Sequence, residues 1–295
     1  MENKYIIYDN TPTPWEKQFI FQDLLKINFD NNPKVISTNN NLSYKNLENW
    51  KNLTNINNII NNNIFIFSSN TSSLENIINM VIFLKPTIII HLSDECGIKN
   101  NYQILSKFTK LLLRQYYHQH YTHADNIKYI PLGYMSNMIE PNYLKINLKL
   151  PKNRKFVWSF VGNIKQDRIK MILTMKKISK HYSGNATVEE MKNIYRESIF
   201  VPNGRGNVKL DCFRLYEASI CGAIPIVVGT VEEYFTTFSQ EENPPWLRYD
   251  SWEEAHDSCL ELLKDMDKLE IMSNNCVKWW NKRINNIHKL ILENI

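Results

Sequence analysis

Residues 211–228 read DCFRLYEASICGAIPIVV, a short helical pattern that passes through Gly222 into a hydrophobic strand. We expect Asp211 to cap the start of this helix and Gly222 to end it, because glycine lets the chain turn directly back into a sheet. Arg214 and Glu217 are three residues apart and therefore share one face of the helix. The succession of short helix and apolar strand predicts part of a parallel α/β sheet.

The polar pair on this helix has two interpretations. A helix N-terminus attracts phosphate, so Arg214 would hold a diphosphate through two parallel hydrogen bonds and Glu217 would accept both hydroxyls of a ribose. An ordinary Arg–Glu pair on the surface would instead contribute little to stability. The residues of the helix alone support both interpretations equally.

The segment before the helix favours a phosphate site. Residues 200–210 read FVPNGRGNVKL and place Pro202, Gly204 and Gly206 between a strand end and the helix. Such a glycine-rich loop lets backbone N–H groups approach a phosphate closely. It matches neither the P-loop pattern, since no Lys-Ser/Thr follows the glycines, nor the GxGxxG pattern. On its own the loop is therefore a weak signal.

Short apolar runs alternate with helical patterns through the first half of the 295-residue chain. The candidate strands are residues 5–8, 34–38, 64–69, 87–93 and 127–133, and the helical patterns are residues 15–29, 73–85 and 102–117. Strands that are almost continuously apolar, separated by helices, indicate a parallel sheet that is covered on both faces.

The alternation restarts after a polar, proline-containing segment at residues 146–155. Further strands are predicted at 156–162, 198–202, 223–229 and 246–249, with a helix at 167–182 and a helical tail from Trp252 to Ile295. The predicted fold class is α/β, with two Rossmann-like doubly wound domains facing a central cleft, where the carboxyl ends of the strands bind ligands. We place the domains at 1–148 and 149–273, and expect the helix 274–295 to pack back on the first.

The composition fits a globular protein with a small acidic partner. Hydrophobic residues make up 43% and charged residues 22% of the chain, which is typical of soluble domains. The net charge of +5 suits a phosphorylated small molecule. The basic residues are dispersed and no groove-reading motif is present, which disfavours a nucleic-acid partner.

Several features favour a cytoplasmic protein. Five scattered cysteines without a CxxC motif indicate reduced thiols. No signal-peptide pattern is visible, and the most apolar stretch is interrupted by Lys85 and Pro86, so no transmembrane segment is expected. Asparagine runs at 39–41 and 61–63 indicate AT-biased coding, as in some intracellular parasites and large DNA viruses.

Three blocks of the second half together resemble a known family. The blocks are FVGN…R (160–168), SIFVPNGRG (198–206) and FRLYEASICGAIPIVV (213–228). They are similar to the C-terminal half of the exostosin-like glycosyltransferases, over residues 156–230, and the tail fits more loosely. The resemblance implies a GT-B architecture, an inverting mechanism and a UDP-sugar donor bound mainly by the C-terminal domain.

The resemblance also implies roles for single residues. Arg214 matches the arginine that faces the diphosphate, Glu217 the acid on the ribose, and Arg168 the arginine on the phosphate side. Cys212 and Phe213 depart from the family, which commonly has serine or aspartate just before the arginine. The predicted donor-binding set is Gly162, Asn163, Arg168, Pro202, Asn203, Gly204, Arg205, Gly206, Asp211, Arg214 and Glu217.

The first half resembles smaller exostosin-like proteins at IIIHLSDE (88–95), LLLRQYYHQHY (111–121) and IKYIPLGY (127–134). His91 lies near the end of the fourth predicted strand, and Asp94 and Glu95 directly follow it. An inverting transfer needs a group that takes the proton of the acceptor hydroxyl, and all three stay open as that catalytic base. A helix cap and a solvated acid are the alternative.

On the acceptor side we expect Arg114 and Tyr117, with packing on a helix face as the alternative interpretation. The spacing of His118, His120 and His123 matches no metal-binding pattern. The one D-x-D sequence of the chain, Asp265–Asp267, lies within the predicted helical tail and does not follow a predicted strand. We therefore predict a metal-independent reaction with no cofactor beyond the UDP-sugar substrate.

The leading hypothesis is a glycosyltransferase that moves a sugar, hexosyl or pentosyl, from a UDP-sugar to a hydroxyl of a glycan or glycosylated acceptor. The alternative is a non-catalytic nucleotide- or glycan-binding protein with the same fold. The sequence does not indicate the donor sugar, the linkage or the oligomeric state.

Overall fold

The structure is a computed structural model that describes residues 4–9, 15–27, 32, 34–38, 47–68, 73–121, 124–139 and 148–295. The chain forms two compact units. The first comprises Met1–Pro131 and Asn285–Ile295, and the second comprises Leu132–Ile284. Among the described residues, no helix has the length and apolar character needed to cross a bilayer.

The first unit contains a six-stranded, all-parallel sheet with the strand order β2-β1-β3-β4-β5-β6. The strands are β1 Tyr5–Tyr8, β2 Val35–Ser37, β3 Asn63–Ser68, β4 Ile88–Leu92, β5 Leu111–Arg114 and β6 Ile127–Tyr129. The helices are α1 Leu47–Lys51, α2 Ile56–Ile59 and α3 Leu74–Leu84, with a π-helical turn at Phe19–Leu24 and a 3-10 segment at Asn100–Phe108. Every residue of β3, β4 and β5 is buried, as expected for central strands covered on both faces.

The core of the first unit is a row of side chains that crosses the sheet. Ile7, Phe65, Ile89 and Leu112 are register partners on four adjacent strands, and all four are buried in one hydrophobic cluster. Helix α3 covers this row with Met80 and its neighbours. The apolar patterns predicted this parallel sheet.

Residues 102–117 were expected to form one helix, and that prediction is wrong. The 3-10 segment ends at Phe108, and Leu111–Arg114 then form β5 between β4 and β6. The physical reason is that a short, fully apolar run has no periodicity to separate a buried strand from a buried helix. The helical pattern at 15–29 is helical over residues 17–24, where two α-helical residues lead into the π-helical turn Phe19–Leu24.

The second unit contains a five-stranded, all-parallel sheet with the strand order β11-β10-β9-β7-β8. The strands are β7 Phe156–Val161, β8 His181–Gly184, β9 Ser198–Asn203, β10 Ile224–Val228 and β11 Leu247–Tyr249. The helices are α4 Asp167–Met175, α5 Val188–Arg196, α6 Phe213–Ile220, α7 Val231–Phe238, α8 Trp252–Leu262 and α9 Met266–Asn294, with a 3-10 turn at Pro151–Asn153. The predicted strands at 156–162, 198–202, 223–229 and 246–249 and the helical tail are confirmed.

The predicted helix at 167–182 is too long. Helix α4 ends at Met175, and His181–Gly184 instead form the edge strand β8. Lys180 adopts a positive φ of 59° and turns the chain into the sheet, where the His181 ring stacks on Trp158 with 4.7 Å between centroids. Tertiary pairing with β7 therefore overrides the helical pattern.

Candidate functional site

Both predicted phosphate loops lie at one point of the second sheet. Strands β7 and β9 are neighbours, yet the chain runs from β7 to β8 on one side and from β9 to β10 on the other. Open α/β sheets bind ligands outside the carboxyl ends of the strands at such a reversal. The loop after β7, which starts at Gly162, and the loop after β9, which starts at Gly204, both begin at this edge.

Helix α6 starts one residue later than expected, so the prediction that Asp211 caps it is wrong. Its N-cap is Cys212, whose side chain makes no capping hydrogen bond. The Asp211 carboxylate is buried and accepts a hydrogen bond of 2.8 Å from the Tyr216 hydroxyl. A fully buried hydroxyl needs an acceptor, and this need fixes the aspartate away from the helix terminus.

The end of α6 at Gly222 is confirmed. Gly222 has a φ of 72°, which a residue with a side chain adopts at a cost. The Gly222 N–H donates to Ser219 and the Ala223 N–H donates to Ala218, at 3.1 and 2.9 Å. These two bonds form a Schellman motif, so the chain turns straight from α6 into β10.

Arg214 is half-buried between the two loops. Its guanidinium carbon lies 5.0 Å from the Phe160 ring centroid, and its Nη2 donates to the Gly204 carbonyl at 3.3 Å. Its Nε is buried and has no hydrogen-bond partner among the described residues. A Cβ on Gly162 would lie 3.4 Å from Arg214 Nη1. The guanidinium thus retains an unused donor at the edge of the sheet.

Glu217 is not part of a surface ion pair. Only 1% of the residue is exposed, and its Oε1 accepts a hydrogen bond of 3.2 Å from the Met135 N–H. Burial raises the pKa of this carboxyl to about 7, although the Met135 hydrogen bond and Arg214 act in the opposite direction. Carboxyl groups with pKa values raised by burial cluster at functional sites.

Arg168 is buried and connects the two loops. Its side chain donates to the carbonyl oxygens of Asn163, Arg205 and Gly206. In the structure, the guanidinium of this predicted donor-binding residue therefore binds the backbone of the two loops.

Other side chains of the predicted donor set also hold the loop after β9. Asn203 Nδ2 donates to the Leu210 carbonyl at 3.0 Å, and its Oδ1 accepts from Cys212 Sγ. The Arg205 guanidinium forms a two-point ion pair with Glu233 of α7, with Nη2 at 2.6 Å from Oε2. Pro202 is buried, in register with Ile226 of β10.

In the first unit, Asp94 is the centre of a buried polar cluster. Its carboxylate accepts from the backbone N–H groups of Ile98 at 3.1 Å and Lys99 at 3.3 Å, from the Tyr121 hydroxyl, and from Arg114 Nη2 at 3.3 Å. Both side chains of the Asp94–Arg114 pair are 1% exposed. Nε and Nη1 of this arginine have no partner among the described residues. The pair is therefore a buried ion pair, held by hydrogen bonds on the aspartate side.

His91 is enclosed by aromatic rings. The rings of Phe67 and Tyr102 both stack against it, each with its centroid 4.8 Å away, and it has no exposed surface. Burial, with Arg114 and Lys99 as smaller causes, holds the pKa of His91 well below its usual value. Both ring nitrogens lack a partner among the described residues, so the imidazole is neutral.

The remaining predicted residues of the first unit lie nearby. Glu95 is half-buried. Tyr117 packs edge-on against Tyr129 with centroids 5.1 Å apart, and it borders the hydrophobic core. Their proposed roles, like those of Asp94, His91 and Arg114, stay predictions.

Two of the three histidines between positions 118 and 123, for which no metal site was predicted, form hydrogen bonds to backbone carbonyls. His118 Nε2 donates to Asp94 at 2.9 Å and His120 Nε2 donates to Gly97 at 3.0 Å. His123 lies outside the described residues. Within the part of the chain that the structure describes, no group of three or more His, Cys, Asp or Glu residues is arranged to hold a metal ion.

Two buried acids of the first unit, Asp9 and Glu16, were not predicted as site residues from the sequence. Asp9 directly follows β1 and accepts from the Thr38 hydroxyl at 3.2 Å, and Glu16 bonds to Gln115. Asp9 follows β1 next to β3, where the strand order of that sheet reverses. An acid immediately after an apolar strand is a signal that points to Asp9, whereas nothing in the sequence points to Glu16.

No protein-family model matches the chain, and no curated protein matches it in sequence. Among solved structures, Anabaena HepE in complex with UDP is similar, with 11% identity, a TM-score of 0.56 and 98% of each chain covered. TarM is similar with 10% identity, a TM-score of 0.48 and coverage of 79% of this chain and 55% of TarM. A glycosyltransferase from Rickettsia africae is similar with 14% identity, a TM-score of 0.44 and coverage of 99% and 100%.

The second and third likenesses are too weak to support an inference, and the first bears on the fold. Together with the two all-parallel sheets, it confirms the predicted fold class. The exostosin-like family stays a prediction. The chain has a GT-B type fold.

Proposed function

We propose that this protein is an inverting, metal-independent glycosyltransferase that moves a sugar from a UDP-sugar to a hydroxyl of a glycan or glycosylated acceptor. One observation carries the proposal. The buried Glu217 carboxyl and an Arg214 donor without a partner among the described residues lie together on α6, next to the strand-order reversal of a GT-B type sheet. The HepE structure that shares this fold holds UDP.

In this proposal the donor nucleotide occupies the edge of the second sheet. The Arg214 guanidinium donates to the diphosphate, because a planar guanidinium binds phosphate oxygens through parallel hydrogen bonds. Glu217, one turn further along α6, accepts the two ribose hydroxyls in its ionised form. The start of α6 adds the positive end of its helix dipole.

The transfer step then needs a base and a stabilised leaving group. The acceptor oxygen attacks the anomeric carbon from the face opposite the phosphate, and the bond from that carbon to the phosphate oxygen breaks. The electron pair of this bond leaves with UDP, whose developing charge Arg214 stabilises. The hydroxyl proton passes to a base, for which we propose Glu95, because it is half-buried whereas Asp94 and His91 are buried.

One observation favours the alternative of a non-catalytic nucleotide- or glycan-binding protein. Two of the three candidate bases, Asp94 and His91, are buried within the first unit. Glu95→Gln separates the two functions. For an enzyme this variant binds UDP like wild type and loses most of its turnover, whereas a binding protein shows no turnover with either glutamate or glutamine.

The proposal is tested by UDP release. Purified wild type is incubated with a panel of UDP-sugars and a mixed pool of glycan acceptors, and released UDP is measured. We expect release with at least one donor that depends on the acceptor pool. No release with any donor, combined with no thermal shift on adding UDP, contradicts the proposal.

A further inference from the structure

Arg168 makes a dense set of contacts with backbone. Its Nη1 donates to the Asn163 carbonyl at 3.0 Å, its Nε to the Arg205 carbonyl at 3.0 Å, and its Nη2 to the Gly206 carbonyl at 3.2 Å. Nη2 also donates to the Arg205 carbonyl. All three guanidinium nitrogens are thus directed at carbonyl oxygens of the two loops that flank the strand-order reversal.

The aliphatic part of the same side chain lies against Gly204. A Cβ built on Gly204 would come within 2.5 Å of Arg168 Cγ, a distance that forces one of the two groups to move. The loop after β9 therefore rests directly on the arginine. This close approach explains why glycine occupies position 204.

The residue before Arg168 holds the next peptide of the loop. Asp167 Oδ2 accepts the Arg205 N–H at 3.0 Å. A trans peptide directs its N–H and C=O to opposite sides, so the Gly204–Arg205 peptide turns its carbonyl away from Asp167. That carbonyl accepts Arg214 Nη2. The start of α4 is thus connected to Arg214 through the backbone of a single peptide.

We infer that Arg168 is a positioning residue that fixes the Gly204–Gly206 backbone and, through the Gly204 carbonyl, orients Arg214, and that it does not itself bind the diphosphate. This inference rests on the proposed function, since it divides the two arginines of the nucleotide site into a residue that shapes the loop and a residue that contacts the ligand.

The first test compares charge with geometry. Arg168→Lys keeps the positive charge, but an ammonium group cannot reach three separated carbonyls in the plane of a guanidinium. We expect about a tenfold or larger loss of UDP affinity, equivalent to one or more hydrogen bonds, with uridine affinity unchanged. Lys170 is exposed on the same helix, so Lys170→Ala is the matched control. We expect this variant to keep wild-type UDP affinity.

A second test uses the contact with Gly204. Gly204→Ala is expected to reduce UDP affinity in the wild-type background and to have a much smaller effect in an Arg168→Ala background, where Cγ is absent. Equal losses in both backgrounds overturn the inference. The inference is also overturned if the UDP affinity of Arg168→Lys stays within about twofold of wild type, because positive charge alone would then account for the contribution of Arg168.

A third readout needs no nucleotide. Hydrogen exchange of residues 204–210 in the ligand-free protein is expected to accelerate in Arg168→Lys, while exchange in the core strands β9 and β10 is unchanged. Unchanged exchange in the loop overturns the inference. If wild type binds no UDP, the proposed function fails, and this measurement still decides whether Arg168 fixes the loop.

Discussion

Burial of the Glu217 carboxyl favours its neutral form, whereas its proposed contact with ribose uses the ionised form. Its carboxyl is almost fully buried, and burial raises its pKa to about 7. Binding of ribose hydroxyls requires the ionised form, which burial disfavours. Under the proposed function, Glu217 therefore makes both UDP binding and stability depend on pH, and the two effects can be measured separately.

UDP affinity is expected to rise as the pH passes through about 7. Below that pH the Glu217 carboxyl is protonated and no longer accepts two hydroxyl hydrogen bonds, so affinity falls by up to about tenfold per pH unit. Calorimetric titrations between roughly pH 5.5 and pH 8.5 measure the effect. Glu217→Gln is the control, since it has low affinity and retains only the titration of UDP itself.

The same residue is expected to cost stability at alkaline pH. Its folded pKa lies above its unfolded value of 4.5, so the stability it contributes as a neutral group is lost as the pH rises through about 7. Glu217→Gln should therefore increase the free energy of unfolding at about pH 8 by roughly 2–3 kcal/mol. Urea denaturation at about pH 8 and pH 5 checks this, and an equal gain at both values contradicts it.

Asp94 is expected to matter first for stability. Removing one partner of a buried ion pair leaves the other charge uncompensated, which costs about 3–5 kcal/mol, and Arg114 is 1% exposed. Asp94→Ala should therefore lower the free energy of unfolding by that amount in urea denaturation. The exposed Asp125→Ala in the same unit is the control. Wild-type stability of Asp94→Ala, with turnover lost, would instead support a catalytic role.

At the scale of elements, the junction of α6 with β10 depends on one glycine. Gly222 has a φ of 72°, and an added Cβ would meet the Leu148 side chain at 2.8 Å. Gly222→Ala is expected to destabilise the protein by about 2 kcal/mol or more, from backbone strain and overpacking together. Thermal and urea unfolding measure the loss, and a change below about 0.5 kcal/mol contradicts the assigned helix end.

Elements with a local signal could be predicted from the sequence, and those fixed by tertiary pairing could not. Gly222 predicts the end of α6, and the apolar runs at β3, β4, β9 and β10 predict central strands. By contrast, β5 and β8 look helical along the chain and become strands because a neighbouring strand pairs with them.

The candidate site shows the same division. Loop glycines and the Arg214–Glu217 spacing identify the edge of the sheet without any structure. The contacts of Arg168 depend on carbonyl oxygens almost forty residues away, and no sequence pattern encodes which way a carbonyl points. The engagement of Asp94 with Arg114 and Tyr121 is likewise a tertiary property.

For the whole molecule, the two sheets follow one plan. In each sheet, the first strand along the chain pairs with the second strand on one side and with the third strand on the other. This gives the orders β2-β1-β3 and β8-β7-β9. Each therefore has one strand-order reversal where a ligand can bind. In the second sheet this point coincides with the glycine-rich loop and α6, where the proposed nucleotide site lies.

The most direct test is a crystal structure of the protein grown with UDP. We predict the β-phosphate within hydrogen-bonding distance of the Arg214 guanidinium and the ribose hydroxyls on the Glu217 carboxylate, with Arg168 still bound to the carbonyls of Asn163, Arg205 and Gly206. UDP bound elsewhere on the molecule, or an empty sheet edge at a saturating UDP concentration, would contradict the account.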